Sequence, residues 1–191
     1  MRFLNYGSVN IDLVFTVDHI VKGGETIQSS SLTKSAGGKG ANQSAALAKA
    51  GAEVFHAGKV GSDGDFLLEM LADYGVDTSF IRHYGGATGQ ALIQLDRHKQ
   101  NAILLYGGGN TEITKEEIDE TLKSFGKGDM LVLQNEIVHT GYLIDEAKKR
   151  GLSLCMNLAP FDRTLFSLPL SKLDLLVVNE IEGAALASLG E

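Results

Sequence analysis

The chain has 191 residues, 43% hydrophobic and 21% charged, with 17 Lys and Arg against 24 Asp and Glu for a formal net charge of −7. A polyanion needs a basic face that this balance does not supply, so nucleic-acid binding is excluded as the main activity, and the apolar fraction excludes disorder as the bulk state. Cys155 is the single cysteine, no apolar run approaches the roughly 20 residues of a membrane span, and Asn5, Asn10 and Asp12 stand where a signal peptide would have its apolar centre. The expected setting is therefore reducing and cytoplasmic, with neither a membrane nor a nucleic acid as partner.

In chain order, short apolar runs alternate with helical patterns, as in an α/β sheet with crossover helices. Strands are expected at Phe3 to Tyr6, Leu13 to Val17, Val54 to Lys59, Met130 to Leu133, Ser153 to Met156 and Leu175 to Val178. Helices fit Lys39 to Ala50, Phe66 to Tyr74 with Asp63 as N-cap, Lys115 to Phe125 with Thr114 and Glu117 as a capping box, Tyr142 to Arg150, and a last one from about Ile181. Two stretches differ. Thr26 to Thr33 is extended and polar, and Gly89 to Leu95 with Ala102 to Tyr106 forms a hairpin pattern; without intervening helices, these predict a small separate sheet. The strand Leu175 to Val178 has a buried composition, yet Glu191 follows within a turn or two of the next helix. The sheet is therefore expected to be an incomplete fold unit with an apolar face open there.

The densest chemical signal is Ala36-Gly37-Gly38-Lys39-Gly40-Ala41-Asn42-Gln43-Ser44, a glycine-rich turn feeding a helix. Lys39 is followed by Gly40 rather than Ser or Thr, which excludes a P-loop, and the glycine spacing excludes a dinucleotide fingerprint. It reads either as a tight turn or as a ligand loop in which Lys39 and Asn42 donate. Gly7-Ser8-Val9-Asn10-Ile11-Asp12 lies past the first strand; Asn10 and Asp12, two apart, form either an Asx-turn or a donor and acceptor pair suited to sugar hydroxyls. Glu136 follows one strand, and Asn179-Glu180-Ile181-Glu182 follows another. Glu182 suits either helix-terminus complementarity or a hydrated divalent ion. The five histidines show no metal-ligand spacing.

Taken in order, Gly7 to Asp12, Gly24-Glu25-Thr26, Gly37 to Gln43, Thr88-Gly89 and Asn179 to Glu182 resemble the ribokinase group of the PfkB family of carbohydrate kinases. The resemblance spans what would be the N-terminal two-thirds of a member. It implies a Rossmann-like, three-layer α/β/α core with a small β-sheet lid whose strands fall within 13–33 and 89–106, and a homodimer formed through that lid. It also implies transfer of a phosphoryl group from ATP, with Mg²⁺, to a sugar hydroxyl, D-ribose to ribose 5-phosphate first among candidates. By motif, Asn10, Asp12, Gly38, Lys39 and Asn42 would hold the sugar, Glu136 would close its far side, and Ala91 and Ile93 would be lid contacts. Asn179 would face the nucleotide, and Glu182 would order water around Mg²⁺. The family's Asp-Thr-x-Gly-Ala-Gly-Asp segment, which supplies the base and the anion hole, has no counterpart here, and the adenine pocket and monovalent-cation loops belong to the same missing part. Residues 1–191 are thus expected to be the N-terminal part of one kinase domain, with most of the sugar site, no base and no activity alone. The alternatives are a non-catalytic sugar-binding or dimerising module and a related nucleoside or fructose kinase.

Overall fold

In the computed structural model, which describes residues 1–187, the chain forms β1 (Arg2–Tyr6), β2 (Asn10–Thr16), β3 (Ser31–Gly37), α1 (Lys39–Lys49), β4 (Glu53–Val60), α2 (Asp65–Asp73), β5 (Val76–His83), β6 (Gly89–Leu95) and β7 (Asn101–Tyr106). It continues through α3 (Lys115–Leu122), β8 (Met130–Gln134), α4 (Thr140–Lys149), β9 (Ser153–Asn157), β10 (Leu175–Val177) and α5 (Glu180–Ala187). Six strands make a parallel sheet in the order β10-β9-β8-β1-β4-β5, and four make a second sheet in the order β3-β2-β6-β7. The chain winds outward from β1 through β4 to β5, then returns to the other side of β1 at β8. The strand order therefore reverses at β1, and in open α/β sheets ligands bind outside the carboxyl ends of the strands at that point.

Two apolar layers sandwich the parallel sheet. Leu4 and Tyr6 of β1, with Leu131 and Leu133 of β8, pack against Ile118 and Leu122 of α3 and Leu143 and Ile144 of α4. On the opposite face Val54, Val76 and Ile81 meet Ala41 of α1 and Leu67 and Leu71 of α2. Each fully buried leucine of this set stabilises the fold by roughly 1.5–3 kcal/mol. The alanines of α1 let it lie close on β1 and β4, so the loop before it is carried to the carboxyl edge of the sheet.

The expected α/β core and separate small sheet are both present, and the capping box of α3 forms as its spacing predicts: Thr114 Oγ1 accepts from Glu117 N at 3.3 Å, and Thr114 N donates to Glu117 Oε2 at 2.8 Å. Other expectations are corrected. The strand expected at Leu13 to Val17 starts earlier, at Asn10, and ends at Thr16; it pairs with both β3 and β6 in the second sheet, within the range the resemblance gave for that sheet. The extended run Thr26 to Thr33 becomes strand only from Ser31 onward, and β5, whose apolar residues are broken by Asp77, Ser79 and Arg82, was not expected at all. Asp63 does not cap α2, because Gly64 takes that position and the carboxylate instead accepts from Thr88 N at 2.8 Å and Thr88 Oγ1 at 2.6 Å. Leu175 to Val178 are all exposed, as the open-face reading expects. Beside them a trough of about 400 Å³ runs along α1, lined by Phe3, Leu47, Val132 and Cys155.

One buried polar contact fastens α1 to β4. Ser44 Oγ lies 2.8 Å from His56 Nδ1, both residues are fully buried, and His56 Nε2 has no hydrogen-bond partner among the described residues. Burial pushes the imidazole pKa down from 6.5 to about 4, against a smaller opposing effect of the Gly7 backbone. Below pH 6.5 the unfolded chain binds a proton that the folded chain refuses. Stability is therefore fully present above that pH and falls by about 3 kcal/mol as the pH drops toward 4. Urea unfolding between pH 7 and 4.5 should show this slope in the native chain and lose it in His56→Gln; equal slopes in both would place the proton elsewhere.

Candidate functional site

The turn before α1 is shaped by contact with the loop after β1. Gly38 takes φ 94°, and a Cβ there would stand 2.8 Å from Ser8 O; a Cβ on Gly40 would stand 2.5 Å from Ser8 N. Two glycines thus allow two backbones to cross, and Ala41 N closes the crossing with a 2.9 Å bond to Ser8 O. Beneath it, buried Asn5 Nδ2 donates to Gly40 O at 2.8 Å, while Gln134 Nε2 donates to Asn5 Oδ1 at 3.1 Å and to Gln43 Oε1 at 2.8 Å.

Helix α1 opens with Lys39, has no acidic residue in its first turn, and has a glycine as N-cap. Such a terminus, with a cation on the positive end of the macrodipole and unsatisfied N–H groups, calls for an anion. Glu136, two residues past β8, supplies it. Its Oε2 accepts from Lys39 N at 2.9 Å and from Ser8 Oγ, and its Oε1 lies 2.9 Å from Lys39 Nζ. The Glu136 side chain is 9% exposed and that of Lys39 40%, so the acid is sheltered and the amine still reaches outward.

The second sheet brings Asp12 to the same place. Its carboxylate occupies the space beside Gly37, where a Cβ would stand 2.0 Å from Asp12 Oδ1. Burial raises the Asp12 pKa, the Glu136 charge raises it further, and Lys39 opposes the shift. Asn10 is buried at the start of β2. Ala91 pairs with Asp12 and Ile93 with Val14 across β2 and β6, which puts these side chains on one face of the second sheet. Asn42 stands one turn beyond Lys39 on the same face of α1, with its side chain exposed.

Asn10, Asp12, Gly38, Lys39 and Glu136 therefore meet at the carboxyl edge of the sheet, where the strand order reverses, with Ala91 beside Asp12. Asn179 and Glu182 do not join them; they sit past β10 and hold each other, Glu182 N donating to Asn179 Oδ1 at 2.8 Å and Asn179 N to Glu182 Oε2 at 3.0 Å. The Gly24-Glu25-Thr26 motif lies on an exposed loop where Glu25 Oε1 meets His19 Nε2 at 2.8 Å. Sequence reasoning missed Ser8 as a side-chain ligand of Glu136, the amides of Asn5 and Gln134, and Asn110, which donates to Asn10 Oδ1 at 2.7 Å. A signal for Asn110 was present in Gly107-Gly108-Gly109-Asn110, a second glycine-rich turn ahead of a helix.

The electrostatics make a direct prediction. Glu136→Gln removes a negative charge near Asp12 and leaves Lys39 in place, so the Asp12 pKa should fall toward its ordinary value of 3.8. Carboxyl-detected NMR titration reads this; an Asp12 pKa that holds or rises would dissolve the coupling.

The pfkB family carbohydrate kinase model matches residues 2–189. The ribokinase of Staphylococcus aureus (strain COL) is 35% identical over 189 residues, covering 96% of this chain and 62% of that protein. The deoxyribokinase of Salmonella typhi is 33% identical over 181 residues, covering 92% of this chain and 59% of that protein. The crystal structure of ribokinase from Cryptococcus neoformans var. grubii serotype A in complex with ADP superposes with a TM-score of 0.86 at 37% identity, covering 100% of this chain and 60% of that one. The chain thus spans about 60% of the length of the relatives it matches. With a family match over nearly every residue, the parallel sheet and the second sheet in the arrangement of those structures, and the glycine-crossed loops at the strand reversal, this chain belongs to the pfkB family of carbohydrate kinases.

Proposed function

We propose that the complete protein transfers the γ-phosphoryl group of ATP to a hydroxyl of a pentose, D-ribose first, and that residues 1–191 carry the sugar-binding part of that machinery. The observation that carries this reading is the meeting of Asn10, Asp12, Lys39 and Glu136 at the strand reversal: two acids, an amine and an amide in one sheltered cluster. Such a cluster offers both donors and acceptors to hydroxyls, each of which can do either. Asp12 accepts from one hydroxyl, Lys39 and Asn42 donate to others, and Glu136 closes the far side while holding Lys39 in place. Ala91 and Ile93 cover the sugar from the second sheet, which acts as the lid. Support comes from the names of the relatives, a ribokinase and a deoxyribokinase among them, and from the ADP held by the Cryptococcus structure.

Asn179 faces the nucleotide in this reading, and its bond to Glu182 orders both at the start of α5. Among the described residues there is no cluster of three His, Cys, Asp or Glu side chains that would hold a metal by itself. The residues fit Mg²⁺ in the manner in which that ion is usually held, by phosphate oxygens and water with one carboxylate: Glu182 Oε2 is engaged with Asn179 N, and Oε1 is the oxygen for an ordered water. Mg²⁺ when bound would neutralise phosphate charge. No helix among the described residues is long and apolar enough to cross a membrane; a cytoplasmic setting remains part of the proposal through the lone thiol of Cys155. The homodimer proposed from the family would bury the exposed Ile103 and Leu105 of the second sheet, which share a face with Ala91 and Ile93.

In a version extended through the remaining length of the relatives, Asp12→Ala removes a charged acceptor, and bonds to charged groups are worth roughly 1.5–3 kcal/mol. Calorimetry should show ribose binding weakened by about one to two orders of magnitude; unchanged affinity would remove Asp12 from the site. A coupled assay should find ATP-dependent phosphorylation of ribose with the extended version and none with residues 1–191. Comparable turnover by the short chain would assign the proton transfer to a carboxylate already present, Asp12 or Glu136.

A further inference from the structure

An asparagine can offer a ligand an acceptor through Oδ1 or two donors through Nδ2. The two senses occupy the same shape, so its neighbours decide between them. At Asn10 the decision traces back to a backbone group that cannot be reversed. Val9 N–H can only donate, and it donates to Asn110 Oδ1 at 3.1 Å. The nitrogen of Asn110 must then point the other way, where it donates to Asn10 Oδ1 at 2.7 Å. The oxygen of Asn10 is consumed. Its Nδ2 remains, makes no hydrogen bond among the described residues and is not sealed from solvent.

The surroundings lock this sense. Asn10 is 7% exposed and Asn110 3%, and at that depth two acceptors facing each other carry the full penalty of an unsatisfied pair. Gly89 lies across from Asn10 in the β2–β6 pairing, and a Cβ on it would stand 2.3 Å from both Asn10 Oδ1 and Asn110 Nδ2, so the glycine is what leaves room for the two amides to meet. Asn110 is itself anchored, because its carbonyl accepts from Val138 N at 3.3 Å, two residues past Glu136.

We propose that Asn110 is a positioning residue that sets Asn10 to present donors only, so that the site reads a ligand by polarity: an acceptor must face Asn10 Nδ2, and a donor must face Asp12 two residues along the same face of β2. The unit recognised is a pair of neighbouring hydroxyls, one accepting and one donating. A sugar carrying an ammonium group opposite Asn10 would present donor to donor and be refused. This deepens the proposed sugar site and rests on it for the identity of the ligand, but the polarity itself is testable without any ligand.

Side-chain amide exchange on the ¹⁵N-labelled 191-residue chain tests the polarity first. Asn110 Nδ2 protons should exchange slowly and those of Asn10 fast. Asn110→Asp replaces the donor by an acceptor, so the Asn10 amide should turn and its protons become protected; protected Asn10 protons in the native chain would overturn the proposal. Ribose binding by calorimetry comes second. It should weaken about tenfold or more in Asn110→Asp, and comparably in Asn10→Asp, which keeps the bond from Asn110 but has no donor for the ligand. Should Asn110→Asp not fold, native exchange and Asn10→Asp carry the test alone. Native affinity in a folded variant whose Asn10 amide has turned, or in Asn10→Asp, would overturn the role. If the native chain shows the expected exchange pattern but binds no pentose, the sugar reading fails while the polarity stands.

Discussion

Helix α1 cannot satisfy its own beginning. It starts on a lysine, follows a glycine, and carries no acid in its first turn, so the positive end of its dipole depends on a carboxylate 97 residues away. Glu136 meets that need with one oxygen on Lys39 N and Ser8 Oγ and the other on Lys39 Nζ. Three segments that are distant in sequence, the loops after β1 and β8 and the start of α1, are thereby held together at the reversal of strand order. Because the anion is a protein side chain, the helix terminus is already satisfied before any ligand arrives. What remains available there is the half-exposed amine of Lys39 and the hydrogen-bonding groups of the second sheet.

The second sheet owes its place to the same junction. Strand β2 leaves β1 after three residues, and β3 returns directly into the turn before α1, so Asp12 is tethered on both sides to the loops that Glu136 clamps. Burial and the nearby Glu136 charge both raise the Asp12 pKa, which marks the carboxylate as part of one electrostatic unit with the clamp rather than a solvated strand residue. Unlike Glu136, whose oxygens are taken by the protein, Asp12 has no charged partner in direct contact among the described residues. In the proposed sugar site its partner is a hydroxyl donor of the ligand.

Much of the architecture was legible because it rests on local rules. Alternating apolar runs and helical patterns marked the parallel sheet, and Thr114 with Glu117 marked the start of α3 from spacing alone. The motif from Gly37 to Gln43 was legible as a glycine turn and, through the resemblance, as a sugar loop, but the crossing that demands its glycines was not, since the groups that crowd it, Ser8 and Gly7, come from another segment. Strand β5 was hidden because the irregularity in its pairing with β4 puts Phe80 and Ile81 side by side and ends the alternation that Val76, Asp77, Thr78 and Ser79 begin. Asp63 was misread as a cap because its partner, Thr88, is 25 residues away. The same distance effect concealed Asn110: nothing local tells that an asparagine after three glycines will sit 2.7 Å from one a hundred residues earlier. Residue types and turns are written locally, whereas the pairing of buried polar groups is decided by topology.

The junction clamped by Glu136 is proposed here as a sugar site. A crystal structure of the chain grown with a pentose tests it most directly. The sugar should lie at the carboxyl edge of the parallel sheet, with one hydroxyl accepting from Asn10 Nδ2, another donating to the Asp12 carboxylate, and Lys39 still paired with Glu136. A pentose lying instead in the apolar trough beside Phe3 and Val132, or on the outer face of the second sheet near Phe15 and Leu92, with Asn10 and Asp12 untouched, would contradict it.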